Sequence, residues 1–346
     1  MNVIGAHTYM GGFVRGLIQA GWKSLGSVEV WKEPQRLAEY LGVKHLDLWT
    51  ESLPKGSVDL VVGNPPCSRF SSASQTAFDA HSKTNLCAFE DLQFILNLGK
   101  ASKALVVWWE NGPLAYTSGR EMIQQAHDFV GAKVTVVLKF GMPLTGALQN
   151  RTRTHVFHVM NNTVDYTQLA IPASDYQEVP VYPWIMRNLD ERTVRPYVHE
   201  NYYPMNDPVS TVAAQWGPRE KCGFLATKPI CINENQRYVP GVVSGRYQAW
   251  ENHNRWWSIA EYASAMSYPT DVDWEKTFGL TGDKVLTYMS KSVAPQASEW
   301  LAQYFLPQLY GDRIQNHPML PGNPEVRGDI MYIRMMAVGK NKERVI

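Results

Sequence analysis

Two rhythms of apolar and polar positions alternate along the first 160 residues of the chain. Short apolar runs bounded by turn residues predict buried strands, and longer stretches with apolar residues three and four apart predict helices. We predict strands at 3–6, 28–31, 45–48, 58–62, 104–109, 133–138, 154–159 and 330–336. We predict helices at 13–21, 34–42, 89–101, 120–130, 255–268 and 293–305.

This alternation indicates an α/β protein. Near-continuous apolar strands are typical of parallel sheets whose two faces are both covered, so we predict a Rossmann-like, mostly parallel sheet with helices on both faces. After residue 159 the rhythm stops, and prolines, tyrosines and turn residues dominate to about residue 250. We predict a large domain from 1–159 and 255–306, a smaller irregular domain from 160–254, and a C-terminal extension of unknown role at 307–346.

The composition excludes several classes of protein. The 346 residues carry a net charge of +1, so any nucleic-acid surface must be a local patch and not a global basic field. The four cysteines are widely spaced without a zinc-binding pair, so we expect free thiols, a reducing compartment and no metal site. There is no charged leader and no apolar run of about 18 residues, so we expect no signal peptide, no membrane partner and a cytoplasmic location.

Candidate binding and catalytic residues lie at or near the ends of several predicted strands. They are the turn Gly11-Gly12 after the first strand, the thiol of Cys67, the carboxylate of Glu110, and the pair Arg151 and Arg153. Because the carboxyl ends of parallel strands meet at one edge of a sheet, we expect these groups to lie around one pocket. Two prolines directly before Cys67 stiffen the loop that carries the thiol.

This combination suits nucleophilic attack on a polar heterocycle. The thiol of Cys67 can add to an electron-poor ring carbon. Glu110 follows two tryptophans, so we expect burial to raise its pKa and to let it protonate or hydrogen-bond a ring nitrogen. The two arginines can hold an exocyclic oxygen through charge-assisted hydrogen bonds. Each group alone has an ordinary alternative, namely an inert loop cysteine, a carboxylate that caps a helix, or solvated arginines.

The surrounding motifs resemble those of the DNA cytosine-5 methyltransferases. The segment Pro66-Cys67-Ser68-Arg69-Phe70-Ser71 is similar to that family's Pro-Cys-Gln-x-Phe-Ser loop. Glu110-Asn111-Gly112 resembles its Glu-Asn-Val, and residues 149–153 match its Gln-x-Arg-x-Arg. The segment 290–295, Ser-Lys-Ser-Val-Ala-Pro, resembles its closing Gly-Asn-x-Val-Pro. The matches extend over about residues 3 to 305 in the family's order.

The cofactor loop departs from the family pattern. The family's Phe-x-Gly-x-Gly-Gly aligns with residues 7–12, where Tyr9 brings bulk in place of the first glycine. The ribose-binding glutamate of the family aligns with Trp31, and Glu29 or Glu33 can substitute for it. The resemblance implies S-adenosylmethionine as cofactor. The cofactor-binding residues that it implies are Tyr9, Gly11, Gly12, Glu29, Trp31, Glu33, Asp47, Asn64 and Pro66.

The resemblance also implies a reaction and a partner. Methyl transfer to C5 of a cytosine flipped out of double-stranded DNA would proceed through a covalent Cys67 adduct. Glu110 would bond N3 and the exocyclic amine, Arg153 would hold O2, and Arg151 would support the cysteine loop. Residues 160–254 would form a target-recognition domain, and the implied DNA-binding residues are Ser68, Arg69, Arg187, Arg192 and Arg195. The setting implied is restriction–modification in a bacterial or phage-infected cell.

Three other functions are compatible with the sequence. The same motifs occur in a tRNA cytosine-5 methyltransferase, so RNA is an alternative substrate. A related enzyme could use a different one-carbon donor or act on a modified pyrimidine. The altered glycine loop is also compatible with a non-catalytic nucleic-acid-binding relative, which an absence of cofactor binding would favour.

Overall fold

The structure is a computed structural model. It describes residues 1–47, 53, 57–67, 70, 81–145, 149–161, 169, 171–172, 185, 189, 230–232, 239–240, 248–250, 255–311, 319–320 and 324–335. By contact density the chain divides into two compact units. The first comprises Met1–Thr145, Thr152–Asp175 and Ser292–Ile346, and the second comprises Gly146–Arg151 and Tyr176–Lys291.

The strands and helices are named in chain order. The strands are β1 (Asn2–Ala6), β2 (Lys23–Val28), β3 (Leu60–Gly63), β4 (Val106–Asn111), β5 (Val134–Gly141), β6 (Gln149–Asn150), β7 (Thr152–Val159), β8 (Ile171–Pro172), β9 (Ile230–Ile232), β10 (Val239–Pro240), β11 (Gln248–Trp250), β12 (Arg255–Trp256), β13 (Met319–Leu320), β14 (Glu325–Arg327) and β15 (Ile330–Met335). The helices are α1 (Gly12–Gln19), α2 (Lys32–Tyr40), α3 (His81–Ser102), α4 (Ala115–Ser118), α5 (Arg120–Val130), α6 (Ile259–Ala265), α7 (Trp274–Phe278), α8 (Gly282–Lys291), α9 (Pro295–Tyr304) and α10 (Leu306–Leu309). A 3₁₀ helix covers Met142–Thr145.

An eight-stranded mixed sheet forms the centre of the first unit, in the order β14-β15-β5-β7-β4-β3-β1-β2. Four of its seven pairings are parallel, and the antiparallel ones involve β7, which lies between β4 and β5, and β14 at the edge. The predicted α/β fold is therefore confirmed. The antiparallel insertion of β7 was not predicted, and it brings the start of that strand beside the end of β4.

Apolar side chains cover both faces of this sheet. Along β4, Val106 and Trp108 lie in one buried cluster with α1, α9 and α10, whereas Val107 and Trp109 lie in a second cluster with α3 and α5. All six residues of β4 are buried. A strand covered on both faces has no polar face, which explains the unbroken apolar runs in the sequence.

The C-terminal residues contribute to the same unit. The predicted strand at 330–336 is observed as β15, which pairs in parallel with β5. The capping box expected at Ser258 and Glu261 is present at the start of α6, although that helix is shorter than the predicted 255–268. The contact-based units group 255–291 with the second unit, whereas the predicted domains joined 255–306 to the first. The functional domain assignment stays a prediction.

Two segments after β1 differ from the sequence prediction. The second strand covers Lys23–Val28 and not 28–31, because residues 23–28 are the ones that pair with β1. Glu29 and Trp31 consequently follow the strand at its carboxyl end. The predicted strand at 45–48 is reduced, within its described residues, to one bridge between Ser27 and His45.

A chain of buried hydrogen bonds connects four elements, β4, β7, β5 and α5. The indole of Trp109 donates to Nε2 of His158 at 2.9 Å, so His158 must carry its proton on Nδ1 and donate to Thr135 at 2.8 Å. Thr135 then donates to Nδ1 of His127 at 2.9 Å. Burial, and secondarily the charge of His127, lowers the pKa of His158 to about 3. His158 is therefore a neutral, structural residue.

Candidate active site

The loop after β1 has an unusual backbone. His7, Tyr9 and Gly11 have φ angles of 54°, 52° and 73°, in the left-handed region that glycine adopts without cost. For a residue with a β-carbon this conformation costs roughly 1–2 kcal/mol. The backbone amide of Met10 donates to Oγ of Ser292 at 3.0 Å. The motif at 290–295 thus reaches the cofactor loop through Ser292.

A cleft of about 240 Å³ opens beside this loop. The residues that line it are His7, Tyr9, Glu29, Val30, Trp31, Pro66 and Asp91. The rings of Tyr9 and Trp31 lie 5.9 Å apart between centroids at an interplanar angle of 33°. Tyr9 is buried, whereas Trp31 is half exposed. The cleft therefore offers an aromatic wall to a planar ligand.

Glu29 is the buried carboxylate of this cleft, with 5% of its surface exposed. Burial raises its pKa to about 8, against the opposing effect of hydrogen bonds from Thr8 and Tyr9. The Oε1 oxygen of Glu29 is buried and has no hydrogen-bond partner among the described residues. An unpaired buried acceptor costs free energy, so a hydroxyl donor from a ligand would stabilise it.

The structure brings together four of the predicted cofactor-binding residues, Tyr9, Glu29, Trp31 and Pro66. Of the two candidates for the ribose contact, Glu29 lines the cleft, while Glu33, which is half-buried in the first turn of α2, does not. The remaining predicted residues lie outside the cleft lining. They are Gly11 and Gly12 at the start of α1, the half-buried Asp47, and Asn64, which is buried after β3.

Cys67 lies on the loop after β3, four residues beyond the end of that strand. Gly63 is adjacent to Trp109 in the register of β3 and β4, so the loop starts beside the end of β4. The carbonyl of Cys67 accepts from the amide of Phe70 at 3.1 Å, and the carbonyl of Phe70 accepts from Leu114 at 3.2 Å. These bonds connect the cysteine loop to the segment after β4. The thiol is free and half-buried.

Glu110 and Arg153 form an ion pair at the same edge of the sheet. Nε of Arg153 lies 2.7 Å from Oε1 of Glu110, and the two side chains are 16% and 2% exposed. The guanidinium also donates to the carbonyl of Thr152 at 2.9 Å. The ion pair offsets part of the free-energy cost of burying the two charges, and the expected rise in the pKa of Glu110 stays a prediction. Two of the predicted catalytic residues are therefore in direct contact.

Arg151 belongs to the second unit. It is buried, and its guanidinium donates to Sδ of Met266 at 3.8 Å. Gln149 donates to the carbonyl of Ala265 and to the same sulfur, each at 3.0 Å. These contacts fix the first part of the Gln-x-Arg-x-Arg segment to the end of α6. The predicted support of the cysteine loop by Arg151 stays a prediction.

The predicted DNA-binding residues lie outside the described part of the chain. They are Ser68, Arg69, Arg187, Arg192 and Arg195. Sequence reasoning missed His7, Val30 and Asp91 as cleft residues. His7 and Val30 adjoin predicted residues, but Asp91 lies on a helix and carried no local signal. In the described residues no group of three or more potential metal ligands occurs, and no helix combines the length and apolarity needed to cross a membrane.

No family model and no curated protein matches the sequence. Solved structures match almost the full chain. A protein described as a DNA modification methyltransferase encoded within a prophage of E. coli has a TM-score of 0.61 at 16% identity, covering 90% of this chain and 99% of that one. The Dnmt2 methyltransferase of S. pombe gives 0.57 at 11% identity, covering 89% and 99%. The methyltransferase EhMeth of Entamoeba histolytica gives 0.57 at 12% identity, covering 89% and 98%.

At these identities the comparison concerns the fold. The mixed sheet with helices on both faces is shared over about nine-tenths of the chain. The chain therefore has the α/β fold of these methyltransferase structures.

Proposed function

We propose that this protein is a DNA cytosine-5 methyltransferase that uses S-adenosylmethionine and a covalent Cys67 adduct. The observation that carries the proposal is the placement of Cys67 on a loop bonded to the segment after β4, next to the strand pair that holds the Glu110–Arg153 ion pair. The fold shared with methyltransferase structures supports it.

Three side chains, Cys67, Glu110 and Arg153, would each act on a different part of the target cytosine. The Cys67 thiolate would form a bond from sulfur to C6, which moves the electron pair of the C5–C6 double bond toward C5. C5 then takes the methyl group, a base or water removes the C5 proton, and the sulfur leaves as the double bond returns. Glu110, held by Arg153, would accept a hydrogen bond from the exocyclic amine, and Arg153 has further donors for O2.

The cleft fits the nucleoside part of the proposed cofactor, which supplies an activated methyl group. Oε1 of Glu29, which has no hydrogen-bond partner among the described residues, can accept from a ribose hydroxyl, and the half-exposed ring of Trp31 can pack against an adenine. Its volume of about 240 Å³ is slightly below the roughly 300–1,000 Å³ of drug-sized ligand sites, as expected for a pocket that encloses part of a ligand.

Methylation of the two candidate nucleic acids tests the proposal. Duplex DNA and tRNA are each incubated with the protein and S-adenosylmethionine, digested, and analysed for 5-methylcytosine by nucleoside mass spectrometry. We expect product on DNA, none with Cys67→Ala, and undiminished product with Cys222→Ala as the matched cysteine control. Product on tRNA alone would replace DNA by RNA as substrate, and product from Cys67→Ala would refute the covalent role.

A further inference from the structure

Tyr9 occupies a backbone position that glycine would occupy without strain. Its φ angle is 52°, and His7, two residues earlier, has 54°. Strained residues persist where the surrounding structure compensates for them, and they concentrate at ligand-binding sites. Tyr9 is 9% exposed and lines the cleft. The strained backbone at Tyr9 therefore places an aromatic ring in the cleft wall, which a glycine at this position would not provide.

The ring of Tyr9 has two neighbours of interest in the lining of the cleft. Its centroid lies 5.9 Å from that of Trp31. Pro66, the residue directly before Cys67, lines the same cleft. Burial, followed by the charges of Cys67 and Glu29, raises the pKa of Tyr9 to about 12. The phenol is therefore neutral and close to both the acceptor Glu29 and the reactive thiol.

The cleft as a whole suits a cation. Asp91 is an acidic residue of its lining, the raised pKa of Glu29 leaves that second carboxyl group mostly uncharged at neutral pH, and neither lysine nor arginine is among the described residues that line the cleft. Burial lowers the pKa of His7, so its imidazole is neutral at physiological pH. Aromatic faces attract cations within about 6 Å of the ring centroid, most strongly where water is excluded.

We propose that Tyr9 is a specificity-determining residue whose ring recognises the positive charge of a sulfonium ligand. This inference rests on the proposed function. In a methyl donor built on a nucleoside, the sulfonium lies between the nucleoside and the transferred carbon, and Tyr9 lines the cleft together with Trp31 and with Pro66, the neighbour of Cys67 in the chain. The cleft thus prefers the charged donor over the neutral thioether that remains after transfer, which favours product release.

Binding of two ligands that differ in this charge tests the inference. The dissociation constants of S-adenosylmethionine and S-adenosylhomocysteine are measured by calorimetry on the full chain without nucleic acid. A cation–π contact predicts a preference for the charged ligand of about 2- to 30-fold. Tyr9→Leu, which keeps an apolar side chain at the position, should reduce that preference by the same factor. Thermal unfolding of each variant verifies that it is folded.

Two further variants separate the ring from other effects. Tyr9→Phe keeps the ring and should retain the preference, and so should Tyr40→Leu, which removes an exposed tyrosine of α2. If Tyr9→Leu weakens both ligands equally, or if Tyr9→Phe loses the preference, the inference is wrong while the proposed function stands. If the wild type binds neither ligand, the proposed cofactor and the inference fail together.

Discussion

The buried carboxylate of Glu29 should make the stability of the ligand-free protein depend on pH. Burial raises its pKa to about 8, compared with 4.5 for an exposed glutamate. Between these values the folded protein holds a proton that the unfolded chain releases, so unfolding becomes more favourable as the pH rises. The contribution is fully present below about pH 4.5 and is lost through pH 8, with a slope of about 1.4 kcal/mol per pH unit.

Replacement of Glu29 by glutamine removes this titration and keeps the shape of the side chain. The free energy of unfolding is measured by urea denaturation at pH 5, 6, 7 and 8. We expect the difference between wild type and Glu29→Gln to change by about 4 kcal/mol over this range, in favour of the variant at high pH. Glu39→Gln, which removes an exposed carboxylate of α2, should retain the wild-type slope. Equal slopes in wild type and Glu29→Gln would refute the assigned burial.

Three other substitutions test separate contacts. Arg153→Lys keeps the charge but loses the planar fork, so we expect product formation to fall at least about tenfold in the nucleoside assay. Thr135→Val leaves His158 and His127 without their shared partner and should lower the free energy of unfolding in urea by about 2–4 kcal/mol. Ser292→Ala removes the acceptor for the amide of Met10, and we expect calorimetry to show weaker donor binding and urea a loss of about 1–2 kcal/mol.

For each of these three substitutions, one result would contradict the prediction. Full activity of Arg153→Lys would show that the fork geometry is irrelevant to the reaction. A stability change below about 0.5 kcal/mol for Thr135→Val would mean that the two histidines find other partners. Normal binding of the methyl donor by Ser292→Ala would mean that the contact of Ser292 with the cofactor loop does not affect donor binding.

The sequence predicted the sheet well because its strands are covered on both faces. The apolar run at 104–109 led directly to β4, and the helix at 120–130 was predicted with its observed bounds. The prediction from the sequence failed at β2, whose polar residues Lys23, Ser24 and Ser27 are typical of a loop. There the pairing with β1 decides the structure, and no local pattern reports it.

The candidate site could be predicted where reactive residues directly follow a predicted strand or belong to a motif of fixed spacing. Glu110 and Arg153 were predicted to lie around one pocket; the structure places them in an ion pair, and their catalytic roles stay predictions. Tyr9 was interpreted as bulk in a glycine loop, but the structure keeps the left-handed backbone and directs the ring to the cleft wall. The choice of Glu29 over Glu33 depended on where β2 ends, which the sequence placed three residues too late.

Trapping of the Cys67 adduct tests the central claim most directly. Duplex DNA that contains 5-fluorocytosine is incubated with the protein and S-adenosylmethionine, because fluorine at C5 prevents the proton loss that would release the thiol. We expect intact-protein mass spectrometry to show one covalently bound DNA strand, located on the peptide that contains Cys67 and absent from Cys67→Ala. Formation of 5-methylcytosine in unmodified DNA without any such adduct, or an adduct on another residue, would contradict the account.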